Sequence, residues 1–296
     1  MMKLKGVIPP MLTPLSNGEV DAEATKRLIH HLIESGVAGI FVMGSTGEGP
    51  WLNQHQRKAL LAATVDAVDG RVPILAGALE PGTGPTLEAI QLIAGYAVDV
   101  VVVATPYYFQ ADAATQAEHA RIIADESPLP VMLYNIPQMT HNPLRAETVA
   151  QLLDHENIIG IKDSQGDWAN FEALLKLKEQ RADFIISQGA EAQGAQSALA
   201  GADVLVPGIS NLIPEKFVSV MNQASLGHTD EVHAMADEIS GVMKGIYGDG
   251  FWLPRMKYAA SLRGFGDGSR LAPAPPLAEA EKEAVRSYVE RYLDKT

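Results

Sequence analysis

The sequence predicts an α/β protein: a (β/α)₈ TIM barrel followed by a C-terminal helical extension. Two observations lead to this fold class. Short apolar runs rich in β-branched residues alternate with stretches of helical period, and eight such units precede residue 225. Runs such as Val98–Val103 lack polar alternation, which indicates strands buried on both faces in a parallel sheet covered by helices.

The elements follow in a regular order. Each strand is predicted where β-branched and apolar residues form a short run, and each helix where apolar residues recur at helical spacing. The predicted strands are Gly6–Thr13, Gly39–Ser45, Val72–Ala78, Val98–Thr105, Pro130–Pro137, Ile158–Ser164, Phe184–Gln188 and Asp203–Ser210. The helices that follow them are predicted near 21–36, 53–69, 83–95, 112–126, 145–154, 167–181, 191–200 and 214–224.

The remaining residues predict three further helices, near 228–247, 251–263 and 277–294. We therefore expect a barrel over residues 1–225 and a helical extension over 226–296, packed on the barrel or on another subunit. The rival fold is a doubly wound open sheet, which usually carries G-x-G-x-x-G after its first strand. That motif is absent from this position.

The charge and the cysteine and histidine content of the chain exclude several classes of partner and of site. There are 23 Lys and Arg against 36 Asp and Glu, giving a formal net charge of −13, which argues against nucleic acid or an anionic membrane as a partner. The absence of cysteine excludes disulfides and thiolate catalysis, and the eight histidines lack H-x-H or H-E-x-x-H spacing, so no metal site is predicted. Since the chain has neither a secretory signal nor an apolar run long enough to span a bilayer, we expect a cytoplasmic protein.

The active site of such a barrel lies at the carboxyl ends of its strands. Lys162 interrupts the apolar sixth strand there. Burial favours the neutral form of an amine, and a neutral amine is a nucleophile towards carbonyl carbon. Lys162 is therefore a candidate for Schiff-base formation; the alternative is a lysine paired with a carboxylate such as Asp163.

Two further groups at the strand ends fit this chemistry. Tyr134, at the end of the neighbouring fifth strand, could transfer protons as a carbinolamine forms and dehydrates; alternatively it is a packing residue. The loop Gly44–Glu48 carries the Ser45 and Thr46 hydroxyls, which with backbone N–H groups could hold a carboxylate. A plain turn between strand and helix is the alternative for this loop.

Four motifs in order carry a family resemblance. They are Pro10-Met-Leu-Thr-Pro, Gly44-Ser-Thr-Gly-Glu, Tyr134-Asn-Ile-Pro and Gly160-Ile-Lys-Asp-Ser, and the likeness continues to the region of Arg270. With them the chain resembles the dihydrodipicolinate synthase / N-acetylneuraminate lyase family of class I, pyruvate-dependent aldolases. The resemblance implies a lyase without metal or organic cofactor, commonly a homotetramer built as a dimer of dimers.

The same resemblance implies residue roles. Lys162 would form the Schiff base with pyruvate or another 2-oxo acid, and Tyr134 would transfer protons. Tyr108 would reach across a subunit interface into a relay with Ser45 and Tyr134. The residues that the resemblance implies for substrate binding are Ser45, Thr46, Gly47, Met139, Gly189, Glu191 and Val206.

The substrate aldehyde is harder to predict. Dihydrodipicolinate synthases usually have Arg where this chain has Met139, and a thioether cannot make the bidentate contact of a guanidinium with a carboxylate. Sialic acid lyases have an Asp-Glu pair after the glycine that ends strand 7, whereas this chain has Gly189-Ala190-Glu191-Ala192, with only one acid. Aldolases for 2-keto-3-deoxy-gluconate and related sugar acids look similar in Tyr-Asn-Ile-Pro-Gln-x-Thr and in a Gly-Ser-Thr-Gly loop followed by Pro and an aromatic residue, here Pro50-Trp51.

A 2-keto-3-deoxy sugar acid is therefore the predicted substrate, cleaved to pyruvate and an aldehyde. Dihydrodipicolinate synthase, N-acetylneuraminate lyase and a deoxy-sugar-acid dehydratase that uses the same lysine remain alternatives. A barrel that binds a 2-oxo acid as a sensor, without turnover, is a remote one.

Overall fold

The computed structural model describes residues 3–293. All eight predicted strand regions contain a strand of one parallel sheet, and a short antiparallel hairpin lies outside it. The strands are β1 (Gly6–Val7), β2 (Leu15–Ser16), β3 (Glu19–Val20), β4 (Ile40–Val42), β5 (Ile74–Ala78), β6 (Val100–Ala104), β7 (Val131–Asn135), β8 (Ile158–Asp163), β9 (Ile185–Gln188) and β10 (Val204–Leu205).

A helix follows each long strand, and three more end the chain. The helices are α1 (Ala22–Glu34), α2 (Gln54–Val68), α3 (Thr83–Ile93), α4 (Ala113–Glu126), α5 (Pro137–Thr140), α6 (Ala146–Ala150), α7 (Trp168–Lys176), α8 (Gly194–Leu199), α9 (Pro214–Ser225), α10 (Thr229–Tyr247), α11 (Leu253–Leu262) and α12 (Glu279–Tyr292). Side-chain caps explain several starts: Asp21, Asp112 and Asp167 each accept a hydrogen bond from a backbone N–H of the first turn.

The sheet has the strand order β1-β10-β9-β8-β7-β6-β5-β4 with every pairing parallel. The stretch after β1 also lies beside β4, because Phe41 N donates to Pro9 O at 3.0 Å and Met11 N donates to Phe41 O at 2.8 Å. The prediction of eight parallel strands surrounded by helices is confirmed, and the fold is TIM-barrel-like.

Apolar side chains fill both faces of this sheet, as the uninterrupted apolar runs predicted. On β6, Val100 and Val102 belong to an inner cluster with Phe41 and Leu75, whereas Val101 and Val103 face the helices. Lys162 and Tyr134 are both buried on the inner face of this sheet, near the carboxyl ends of β8 and β7.

The first and last strands are shorter than predicted. Pro9 and Pro10 have no N–H to donate, so β1 ends at Val7 as a regular strand. The end of the predicted strand Asp203–Ser210 is not extended, because Gly208–Asn211 forms a 3₁₀ turn instead. The hairpin β2–β3 and the short helix α5 were not predicted, since each is too brief to show a period.

The C-terminal helices pack against the rest of the chain. Val232, Ile246 and Met256 are fully buried in the cluster that lies between sheet and helices. The predicted third helix, 277–294, forms as Glu279–Tyr292, and its residue 294 lies outside the described residues, as do 1–2 and 295–296 of the predicted domains. The division at residue 225 stays a prediction. Within residues 3–293 no helix is both long and apolar enough to cross a membrane.

Candidate active site

Lys162 and Tyr134 lie side by side on neighbouring strands. The register of β7 and β8 pairs Tyr134 with Lys162 directly, so both side chains point to the same face of the sheet. Lys162 is 4% exposed, and its Nζ lies 3.8 Å from the centroid of the Tyr134 ring and 5.1 Å from that of Phe41. A buried amine and a buried phenol are thus in direct contact.

Asp163 is not the partner of Lys162. Being the next residue on the strand, it faces the helices, where its carboxylate accepts hydrogen bonds from Gln165 N at 2.7 Å and Asn170 Nδ2 at 3.0 Å. Among residues 3–293, Lys162 forms no salt bridge. The predicted alternative of a Lys162–Asp163 pair is wrong.

The environment of Tyr134 favours ionisation of its phenol. Burial alone raises the pKa of Tyr134, but the nearby Lys162 charge and hydrogen bonds with Lys162, Ser164 and Ser45 outweigh it, and the net pKa is lowered. A phenol with a lowered pKa releases its proton more readily, which suits a group that exchanges protons with a substrate.

The loop after β4 brings two hydroxyls to the same cavity. Ser45 and Thr46 line it, and Gly44 is required because a Cβ there would lie 2.8 Å from the Phe41 ring. Gly47 is not among the lining residues; its Cα faces away, where a Cβ would meet Met11 O at 2.8 Å. Gly47 therefore allows the loop to pack closely against the backbone of Met11, on the side away from the cavity.

Most of the predicted site residues line one cavity of about 290 Å³. Gly189 gives room for the amine, since a Cβ there would lie 2.8 Å from Lys162 Cε and 2.1 Å from Ser164 Oγ. The predicted residues that the structure brings together are Ser45, Thr46, Tyr134, Met139, Lys162, Gly189, Glu191 and Val206. Gly47 and Tyr108 are the two that it does not.

Glu191 has a partner that the sequence analysis missed. Its carboxylate accepts from Ile209 N at 2.6 Å and from Tyr247 OH at 2.7 and 2.9 Å. Burial raises the pKa of Glu191, which these two donors and Lys162 oppose, and burial with the Glu191 charge raises the pKa of Tyr247 well above its ordinary value. Tyr247 ends the extension helix α10, and no local motif distinguishes it from a packing residue.

A second, mostly apolar cavity of about 400 Å³ adjoins the first. The two share Ser45, Ile136, Met139 and Trp252. Trp51 and Phe251, whose ring centroids are 6.0 Å apart, lie at its rim. The reactive end of the site therefore continues into a space that could accept a longer substrate.

Tyr108 lies outside both cavities. It has a φ of +80°, in the left-handed region, and its side chain is 88% exposed against Phe109. The role of Tyr108 across a subunit interface, which the family resemblance implies, stays a prediction.

Comparison with known proteins identifies the family. The model of the dihydrodipicolinate synthetase family matches residues 3–292. The chain is 34% identical to the 4-hydroxy-tetrahydrodipicolinate synthase of Xanthomonas campestris pv. campestris over 284 residues, which cover 96% of this chain and 93% of that protein. The chain belongs to the dihydrodipicolinate synthetase family. Its relatives are lyases of the carbon–carbon aldolase type, and so is this protein.

Solved structures of the family superpose closely. The dihydrodipicolinate synthase of Thermotoga maritima matches with a TM-score of 0.93 at 28% identity, covering 98% of this chain and 99% of that one. YagE, a prophage protein of the dihydrodipicolinic acid synthase family from E. coli K12, solved in complex with pyruvate, matches with a TM-score of 0.90 at 30% identity, covering 97% and 98%. The family resemblance seen in the four sequence motifs is confirmed.

Proposed function

We propose that this protein cleaves a 2-keto-3-deoxy sugar acid to pyruvate and an aldehyde through a Schiff base on Lys162. One observation carries the proposal: the buried Lys162 amine touches the Tyr134 ring at the end of a cavity lined by Ser45 and Thr46. The closed (β/α)₈ barrel is part of the proposal, supported by the hydrogen bonds between Phe41 and the Pro9–Met11 stretch.

The cycle follows from electron demand. The Lys162 amine adds to the C2 ketone in its neutral form, and the Tyr134 phenol gives its proton to the departing hydroxyl, which leaves as water. A protonated imine that draws electrons from C3 and an ionised Tyr134 remain. The ionised Tyr134 takes the proton of the C4 hydroxyl, the C3–C4 bond breaks, and the aldehyde leaves. Protonation of the remaining enamine at C3 and hydrolysis of the imine release pyruvate and regenerate the amine. The imine is itself the electron sink, so the proposal includes no cofactor.

Binding of the substrate carboxylate is assigned to the Ser45–Thr46 loop. Hydroxyl and backbone N–H donors of this loop, which lines the cavity, would fix the carboxylate and align the ketone with the amine. Thr46 Oγ1 lies near Gly208, where a Cβ would be 3.4 Å away, so a bulkier residue at 208 would crowd this donor.

The charges that line the two cavities favour one kind of aldehyde portion in the substrate. Of the described residues that line the two cavities, Lys162 is the only basic one, and Met139 occupies the position where a synthase would place arginine. Glu191, Tyr247 and Gln138 offer hydrogen-bond partners to hydroxyl groups but no counter-charge to a second carboxylate. This supports a polyhydroxy chain in preference to an anionic aldehyde.

The 4-hydroxy-tetrahydrodipicolinate synthase reaction is the second candidate. The Xanthomonas relative, which matches over nearly the whole chain, is named for this activity, and that supports the second candidate. The Met139 side chain, 56% exposed, argues against it, because it leaves a distal carboxylate without a guanidinium.

Two measurements test the proposal. Incubation with pyruvate and borohydride should give a mass gain that peptide mapping places on Lys162 and that Lys162→Met abolishes. A substrate panel should then show release of pyruvate from 2-keto-3-deoxy sugar acids and little condensation of pyruvate with aspartate semialdehyde. An unmodified protein would contradict the Schiff base, whereas efficient turnover of the semialdehyde would favour the second candidate.

A further inference from the structure

A buried ion pair connects the C-terminal extension to the loop that carries Ser45 and Thr46. Lys257 Nζ, on α11, contacts the carboxylate of Glu48, and the two side chains are 3% and 0% exposed. The other salt bridges of the described residues are more open; the next most buried, Arg57–Glu80, is 19% and 18% exposed. Neither Lys257 nor the Glu48 carboxylate takes part in the chemistry proposed above.

The pair is part of a larger network beneath the loop. Lys257 Nζ also donates to Thr13 O at 3.0 Å, and Leu271 N donates to the second Glu48 oxygen at 2.8 Å. Thr13 Oγ1 donates to Gly47 O at 2.6 Å. Three segments far apart in sequence therefore hold the residues that directly follow Ser45 and Thr46.

Stability alone is a poor explanation for this arrangement. Removing two charges from water is costly, and an apolar pair of similar volume is often at least as stable. Burial lowers the pKa of Lys257 although the Glu48 charge opposes the shift, which reflects that cost. Glu48 has a φ of +57°, an uncommon conformation for a side chain other than glycine, and its bonds to Lys257 and Leu271 hold it there.

We propose that Lys257 and Glu48 are positioning residues for recognition of the substrate carboxylate: they hold the Ser45–Thr46 loop in the geometry that binds it. The inference rests on the proposed function, because it assumes that this loop receives the carboxylate of a 2-oxo acid. It assigns to the extension a role in carboxylate selectivity that is separate from its packing.

The test compares pyruvate with pyruvamide, which presents the same ketone without the negative charge. Borohydride trapping on Lys162 is measured against concentration of each probe, for the wild-type protein and for Lys257→Met. Since Lys257→Met leaves the buried Glu48 carboxylate without its ion-pair partner, the double variant Glu48→Gln/Lys257→Met, which removes both members of the pair, is included to separate loss of the pair from loss of stability. Lys178→Met is the matched control, because it breaks the Lys178–Asp203 pair, which the loop does not contact.

In both loop variants the half-saturating concentration of pyruvate should rise by about tenfold or more, the loss expected when hydrogen bonds to a charged group are misplaced. The value for pyruvamide should stay near that of the wild type, and Lys178→Met should change neither. An equal rise for both probes, or no rise for either, would overturn the positioning role while leaving the Schiff base intact. Absence of any adduct in the wild-type protein would instead reject the proposed function, and the inference with it.

Discussion

At the scale of single residues, the site depends on space as much as on functional groups. Lys162 can extend into the cavity because residue 189 has no side chain. We expect Gly189→Ala to displace the amine, since its Cβ would lie 2.8 Å from Lys162 Cε and 2.1 Å from Ser164 Oγ. Overpacking of this kind costs about 1–3 kcal/mol of stability, and a misplacement of about 1 Å costs about 10²-fold in rate.

Turnover and thermal unfolding of Gly189→Ala measure the two effects separately. Gly84→Ala is the control, because a Cβ on Gly84 meets no atom within 4 Å, and alanine in helix α3 should be neutral or slightly stabilising. Full activity of Gly189→Ala would contradict this prediction, because it would show that the Lys162 side chain can accommodate a Cβ at residue 189.

Tyr134 provides the second prediction at this scale. Tyr134→Phe keeps the ring against Lys162 but removes the hydroxyl whose pKa is lowered, so turnover should fall by about 10²- to 10⁴-fold. Trapping of pyruvate on Lys162 should continue, more slowly, because the amine is intact. Turnover equal to that of the wild type would assign proton transfer to another group.

Sequence reasoning reached Lys162 because it interrupts an apolar strand, and Tyr134 because it lies at the end of the neighbouring strand and parallel neighbours bring their ends together. It could not reach Tyr247, whose contact with Glu191 spans 56 residues and depends on how α10 packs. It also left the Lys162–Asp163 pair open, which the alternation of a strand decides once its register is known.

At the scale of elements, the position of each strand in the sheet was predictable, but the extent was predictable only for the long central strands. β5 to β9 have four to six residues each, all of them buried, whereas β1 and β10 have two residues each and are followed by proline or a 3₁₀ turn. The strand order came from the count of alternating units, since a crossover helix between parallel strands leaves few topologies.

One contact between elements gives a pH prediction. His119 on α4 bonds through Nδ1 with Thr83 Oγ1 at 2.9 Å and through Nε2 with Ala104 O at 3.3 Å, which joins α4 to the start of α3 and the end of β6. Burial lowers the pKa of His119, although the bond to Ala104 opposes the shift. The unfolded chain, with a histidine pKa of about 6.5, then binds the proton first, so this group's contribution to stability is full above about pH 6.5 and is lost as pH falls through its folded value.

His119→Gln, whose amide offers a donor and an acceptor but does not titrate in this range, should therefore show a smaller decrease of Tm between about pH 7 and pH 5 than the wild type. Part of the decrease should remain, since burial and the Arg263 charge also lower the pKa of His31. Identical pH profiles for the two proteins would mean that His119 titrates alike in the folded and unfolded states.

At the scale of the whole molecule, the extension contributes to the site and is more than a cover for the sheet. Tyr247, Trp252 and Lys257 all come from residues after 225, and each contacts the cavity or the loop behind it. The sequence located these helices but not their contacts, because amphipathic helices show which face is buried and not what it is buried against.

Tyr108 is the predicted site residue whose expected role involves a second subunit. Its exposed ring lies outside its own cavity, and the family resemblance implies that it completes the relay of Ser45 and Tyr134 in a second subunit. If that is so, Tyr108→Phe should leave the oligomer intact and reduce turnover by about tenfold to 10²-fold, because an acid–base relay is shortened while the ring remains. Sedimentation velocity and kcat measure the two outcomes.

Mixed oligomers make the prediction sharper. Lys162→Met and Tyr108→Phe subunits, tagged differently and coexpressed, should each have low activity alone. In a mixed pair the Tyr108→Phe subunit keeps Lys162 and receives the intact Tyr108 of its partner, so one site of the pair regains full function. Because neither parent contains such a site, activity above both parents can arise only if the tyrosine acts across the interface. Mixed oligomers no more active than the Tyr108→Phe parent would place the function of Tyr108 within its own chain, and a monomeric protein would exclude the shared site altogether.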